Sequence, residues 1–110
     1  MAGKFQIFKS VLNNQFYYRL RSGNNEIILN GEGYMTKEAC VKGILSVKAN
    51  APFDHNYLRK DATNNYTFNL KAGNGEIIGR SENYTKAEAR DNGIDAVKRE
   101  TLKAPIEDHA

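Results

Sequence analysis

Read for its apolar positions, the chain alternates twice and twice settles into a longer period. Phe16, Tyr18 and Leu20 fall on one side of a run whose other side holds Tyr17, Arg19 and Arg21. The same beat returns with Tyr66, Phe68 and Leu70 set against Thr67, Asn69 and Lys71. A period of two with one polar side predicts strands of a sheet covered on a single face. An apolar stretch of strand type, Phe5 to Val11, precedes the first run and ends at the turn residues Asn13-Asn14. After each run comes a turn, Gly23-Asn24-Asn25 or Gly73-Asn74-Gly75, and a short third strand, Glu26 to Asn30 or Glu76 to Arg80. Gly and Asn reach positive φ at little cost, so both are expected to be hairpin turns. A strand rather than a helix follows each, so neither reads as a phosphate cradle.

The period then lengthens. Ala39, Gly43, Ile44 and Val47 match Ala89, Gly93, Ile94 and Val97, at spacings that put each set on one narrow helical face. A helix of about sixteen residues spans roughly 24 Å, and a seven-residue strand about 23 Å, so one helix can cover a strand. The small residues in the stripe predict close packing of helix on sheet. Thr85-Lys86-Ala87-Glu88 has the order of a capping box, with Thr85 as the N-cap. Met35 takes that place in the first copy, so its helix is expected to start one residue later, at Thr36, or with a poorer cap. Pro52 and Pro105 end the helices, and a short extended piece is expected after each.

These matches are parts of one repeat. Phe5 to Asn50 aligns with His55 to Glu100 without a gap, and roughly a third of the positions are identical. The repeats run from about 4 to 54 and from about 55 to 109, with no Gly/Ser linker between them. About 50 residues is near the lower limit for independent folding. The two copies are therefore expected to share one core within a single domain, residues 1–110.

Tyr66-Thr67-Phe68-Asn69-Leu70-Lys71-Ala72-Gly73-Asn74-Gly75-Glu76-Ile77-Ile78, followed by Tyr84-Thr85-Lys86 and Gly93-Ile94-Asp95-Ala96-Val97-Lys98, resembles the YegP family of small bacterial tandem-repeat proteins of unknown function. The first repeat departs from the pattern at Ser22, Asn25 and Met35. The resemblance covers nearly the whole chain. It implies an α+β fold: tandem β-β-β-α-β repeats forming one antiparallel sheet, with two helices packed on one face. The strand after each helix would cross to pair with the other unit. It implies no catalytic residues.

Composition changes this picture little. The 110 residues are 26% charged and 40% hydrophobic, with six Tyr, five Phe and no Trp. A net charge of +3 is too small to argue by itself for nucleic acid. The lone Cys40 excludes an intrachain disulfide and fits a reducing compartment. No apolar run reaches the length of a membrane span, and Met1-Ala2-Gly3-Lys4 leads into a strand pattern without an apolar signal core. A cytoplasmic protein with no membrane partner is expected.

Candidate chemistry is sparse. Asp54-His55 and Asp108-His109 each follow a helix end, and carboxylate with imidazole binds divalent metals. His55, however, aligns with Phe5 at the start of a strand, and the second pair is nearly terminal. Cys40 lies beside the apolar stripe with no fixed basic cluster, as an inert thiol would. No nucleophile elbow, paired-His motif or dinucleotide fingerprint occurs. The reading is therefore no enzyme, no metal and no cofactor.

Binding has more to offer. The uncovered sheet face would carry Tyr17, Arg19, Arg21, Thr67, Asn69 and Lys71. That is a candidate surface for an unknown protein or small ligand. Alternatively, its aromatic and cations would stack bases and meet phosphates, as sheet platforms do, although the aromatic-rich motif of the common RNA-binding sheet is absent. Solubility alone would also account for these side chains. The expected role is a non-enzymatic binding or interaction module of a bacterial cytoplasm, a monomer whose halves mimic a dimer. Nucleic-acid binding through the basic, aromatic face is the alternative.

Overall fold

The alternation seen in the sequence becomes a seven-stranded sheet in the structure, a computed structural model that describes residues 3–110. Met1 and Ala2, where the leader-free start was read, lie outside them. The strands are β1 (Lys4–Lys9), β2 (Phe16–Arg21), β3 (Ile27–Gly31), β4 (Tyr57–Ala62), β5 (Asn65–Lys71), β6 (Ile77–Arg80) and β7 (Ile106–Asp108). The helices are α1 (Lys37–Asn50) and α2 (Ala87–Glu100). In the order β4-β5-β6-β3-β2-β1-β7, all neighbours are antiparallel except β1 and β7.

The two halves meet at β3 and β6, where Asn30 pairs with Arg80. These residues also occupy the same place in the two repeats, 50 apart. A local two-fold axis therefore passes between them. Each helix lies over the second strand of its own repeat and the third strand of the other: α1 over β2 and β6, α2 over β5 and β3. The shared core follows directly. Phe5, Ile7, Tyr18, Leu20, Leu29, Phe68 and Leu70 pack with Ile44, Val47, Ile94 and Val97 in one buried cluster.

At and beside the seam the packing is complementary rather than symmetric. A Cβ on Gly79 would stand 2.8 Å from the Leu29 side chain, and one on Gly31 would enter the Tyr18 ring. Leu29 and Gly79 are themselves repeat-equivalent, so one large side chain fills the volume of two. Tyr18 donates its buried hydroxyl to the Ile78 carbonyl in the opposite half. Burial raises its pKa far above the ordinary phenol value. Phe68, at the equivalent position, has no hydroxyl to place.

Both Gly-Asn turns form as expected. Asn25 and Gly75 donate back to the carbonyls of Ser22 and Ala72, with φ of 72° and 88°, the left-handed region that Asn and Gly tolerate.

Helix entry differs from the sequence reading. Both helices begin at equivalent positions, behind Thr36 and Lys86. Thr36 Oγ1 accepts from the Ala39 N–H at 3.1 Å, whereas Lys86 offers no side-chain cap. The box expected at Thr85 does not form, because Tyr84 is held extended by two backbone hydrogen bonds to Tyr66. That bridge leaves Thr85 one residue too early to cap. Each helix has 14 residues, two fewer than expected.

The strand expected after each helix appears once. β7 crosses to the first repeat and runs parallel to β1, with Ile106 beside Phe5. After α1 a 3₁₀ turn at Asp54–Asn56 leads directly into β4. Six residues cannot reach the far edge of the sheet and return to begin β4. The segment after α2 makes the crossing instead.

Candidate functional site

The open sheet face is built by the alternation that builds the core. Tyr18, Leu20, Phe68 and Leu70 are buried, so Tyr17, Arg19, Arg21, Thr67, Asn69 and Lys71 point the other way, each half-exposed. The sheet order, however, puts β3 and β6 between the two triplets. Three strand spacings separate them by about 14 Å. The six residues share a face without forming one cluster. Arg19 and Asn69 end a single cross-strand row whose middle is Asn30 and Arg80.

That middle was missed in the sequence. Arg80 pairs with Glu32 at 3.1 Å, and Asn30 donates to Glu82 at 2.7 Å. Each contact joins one half to the other, and the local two-fold relates them. Glu32 and Glu82 were visible as a repeated pair. Their partners follow only from the β3–β6 seam.

The cations are unequal. Arg21 donates to Gln6 Oε1 at 2.7 Å and to the Asn25 carbonyl at 2.9 Å, which ties β1 to the turn and commits it to structure. Arg19 lies with its guanidinium 4.3 Å from the Phe8 ring, which in turn stacks on Tyr17 at 5.8 Å. Its Nε is shielded from solvent and has no hydrogen-bond partner among the described residues. Phe8, also missed in the sequence, completes this stack because alternation on β1 turns it away from Phe5 and Ile7. On β5, Thr67 and Asn69 carry no aromatic neighbour of this kind; Leu58 and Asn69 face each other.

Neither Asp-His pair gathers ligands. Asp54 binds Lys98 and Arg59, and His55 lies against Phe53. Lys37 takes Asp108, and His109 meets Glu107. Among the described residues no three His, Cys, Asp or Glu side chains gather as a metal site would require. Cys40 is buried, and burial first, with Asp108 second, pushes its thiol up to about 11. A thiol so placed is not a ready nucleophile. The equivalent Arg90 is buried too, with ion pairs to Asp61 and Asp91 and its guanidinium over Tyr66.

A cleft of about 690 Å³ opens between the first Gly-Asn turn and α2, lined by Ser22, Asn24, Tyr84, Asn92, Arg99 and Glu100 among others. Two of its charged groups are engaged with neighbours: Glu100 accepts from the Gly3 N–H at 2.7 Å and faces Arg99 at 3.7 Å. Burial raises the pKa of Tyr84.

Against known proteins, a family model described as "Domain of unknown function (DUF1508)" matches residues 13–57 and again 61–108. The chain belongs to this family. A UPF0339 protein of Treponema denticola is 52% identical over 52 residues, which are 47% of this chain and 88% of that protein. The UPF0339 protein YegP of Escherichia coli is 45% identical over 64 residues, 58% of this chain, and that match spans 57% of its length. In three dimensions the likeness is nearly complete. The solution structure of YegP from E. coli superposes with a TM-score of 0.91 at 43% identity, over 99% of this chain and 94% of that one. The UPF0339 protein of Shewanella oneidensis gives 0.90 at 41%, over 98% and 92%. E. coli YegP is described as a protein of unknown function, so these relatives fix family and fold and carry no activity.

Among the described residues no helix is long and apolar enough to cross a membrane.

Proposed function

We propose that this protein is a non-enzymatic binding module of the cytoplasm, a monomer that meets a protein or small-ligand partner on its open sheet face. The observation that carries this reading is the Arg19–Phe8–Tyr17 stack. Arg19 lies half-exposed over an aromatic ring, and its terminal guanidinium nitrogens make no hydrogen bond or ion pair among the described residues, which leaves donors that a bound acceptor would use. Protein interfaces are enriched in aromatic residues and arginine. Glu32 and Glu82 on the same face lower its positive potential, which favours a protein or small ligand over a nucleic-acid backbone.

The test separates Arg19 from Arg21. Arg19→Ala should remove partner retention in a pulldown from the native host while leaving the thermal midpoint unchanged. Arg21→Ala should lower the midpoint, because it breaks the β1–turn tie. Fluorescence polarisation with single- and double-stranded probes at low salt should stay flat; a steeply salt-dependent rise lost in Arg19→Ala would replace this reading with nucleic-acid binding.

A further inference from the structure

The cleft between the first Gly-Asn turn and α2 lies on the covered side of the sheet, apart from the open face. Both of its walls are fixed before anything binds. On one, Ser22 N–H donates to the Glu26 carbonyl and Asn25 N–H to the Ser22 carbonyl, each at 2.8 Å. The other is the helix, anchored in the core through Ile94 and Val97. Ile28, Ala89 and Ala96 supply an apolar floor. At about 690 Å³ the cleft has the size of a small-ligand site, and a preformed site loses little to ordering.

The polar groups around that floor lack partners. Tyr84 Oη, which lies against Gly93, makes no hydrogen bond among the described residues, nor do the Glu26 carboxylate and the Asn92 amide. Burial first, then the charges of Glu82 and Glu26, raises the pKa of Tyr84. Its hydroxyl therefore keeps its proton, and Glu26 stands at its end of the cleft. Asn24 Oδ1 accepts from the Glu26 N–H at 3.2 Å, which leaves the Asn24 amide N–H groups to donate. At the far end Arg99 Nε faces Glu100 at 3.7 Å, and its terminal guanidinium nitrogens make no hydrogen bond or ion pair among the described residues. The bland reading is that Arg99 and Glu26 are ordinary solvated charges. It leaves unexplained why a free cation and a free carboxylate stand at opposite ends of one concavity, with a phenol and two amides beside them. In the matching groove on α1, Ala49 stands where Arg99 does, so the cation at that end belongs to this cleft alone.

We propose that this cleft binds a short peptide with free termini, its ammonium held by Glu26 and Tyr84 Oη and its carboxylate by Arg99. Opposite charges at the two ends call for a zwitterion, and their separation sets its length. Arg99 lies seven residues beyond Asn92 on α2, a distance of about 10 Å along the helix. Three extended residues also span about 10 Å, whereas a single amino acid is too short to reach both ends. A dicarboxylate or a diamine would set one of its ends against a like charge. Charge-assisted hydrogen bonds fix the termini. Asn24 and Asn92, one on each wall, meet the peptide N–H and carbonyl groups between them, and the apolar floor takes small side chains. None of these residues belongs to the open face, so the site stands independently of the reading proposed for that face.

The test titrates trialanine into the isotope-labelled full chain and follows backbone amide shifts, with N-acetyl-trialanine and trialanine amide as analogues that each lack one charge. Shifts should move from Ser22 to Glu26 and along α2 from Asn92 to Arg99, and stay still at Lys42 and Ala49 in the matching groove. Each analogue should bind about tenfold or more weakly than trialanine. Glu26→Gln should weaken trialanine by a similar factor and become indifferent to acetylation; Arg99→Gln should do the same and become indifferent to amidation. Both side chains are exposed, so circular dichroism melts of these variants should match the wild type. Arg19→Ala should bind trialanine unchanged, which keeps failure here distinct from failure of the open-face reading. No shift change at millimolar trialanine overturns the site. Equal binding of either analogue shows that the charge at that end is not read and removes the zwitterion. The same shifts produced by sodium acetate alone would reduce the cleft to an anion contact at Arg99 and overturn the peptide.

Discussion

Thr36 and Lys86 hold the same place in the two halves, yet only the threonine closes a helix. The lysine leaves the first N–H groups of α2 without a side-chain acceptor, so Lys86→Thr should stabilise the protein by about 1 kcal/mol. The check is a rise in urea midpoint at unchanged slope; no rise would mean that backbone geometry at Lys86 cannot accept a cap. Tyr34 and Tyr84 carry a second lesson. The sequence showed Gly43 and Gly93 in a small-residue stripe, which suggests a helix close to a sheet. The nearest neighbours are instead these tyrosines: a Cβ on Gly93 would stand 2.6 Å from Tyr84 Oη and 3.0 Å from its Cζ. Gly93→Ala should therefore destabilise, although alanine favours a helix by about 1 kcal/mol. In a Tyr84→Phe background, where the nearest atom is gone and the ring remains, the same substitution should cost less than in the wild type. A double-mutant cycle showing no coupling would reject this contact as the reason for glycine.

Between elements, charge holds what apolar packing does not cover. Asp54, in the 3₁₀ turn before β4, accepts from Lys98 of α2 at 2.8 Å and from Arg59 of β4 at 2.9 Å, and Asp91 meets Arg59 at 3.5 Å. The hydrogen bond from Lys98 first, and that from Arg59 next, hold the Asp54 carboxyl down at about 2. A depressed folded-state pKa stabilises above the group's ordinary value and is lost as pH falls through the folded one. The contribution is thus fully present above 3.8 and fades toward about 2. Urea midpoints should fall through that window in the wild type and fall less in Asp54→Asn; parallel curves would show that the carboxylate is solvent-screened into irrelevance. The sheet edges are protected by different means. β7 covers β1, whereas β4 lies open and carries Arg59, Lys60 and Asp61, charges that discourage pairing with another chain. Alternation predicted the strands themselves, because burial on one face imposes a period of two. It was silent on which edge would be covered, since that depends on which segment leaving a helix is not bound at once to begin another strand.

As a whole molecule, the two repeats exchange support. α1 needs β6, α2 needs β3, and β7 of the second half closes the first. Residues 1–54 expressed alone should therefore be unfolded or self-associated, which far-ultraviolet circular dichroism and sedimentation velocity would reveal. A cooperative, monomeric half-chain would break the shared-core account. The candidate surface depends on the same assembly. All six sequence-chosen residues reached the open face, because side-chain direction on a strand is local. Their separation, the commitment of Arg21 to Gln6, and the stack of Arg19 on Phe8 depended on strand order and on a neighbour one strand away. The sequence by itself determined the repeat, the elements, the turns and the two faces, since each follows from spacing along the chain and from the backbone preferences of single residues. Only the tertiary structure decided where the halves join, which tyrosine sits against each helix glycine and which cations remain free. Those outcomes are settled by contacts between residues tens of positions apart, and periodicity records no distance between them.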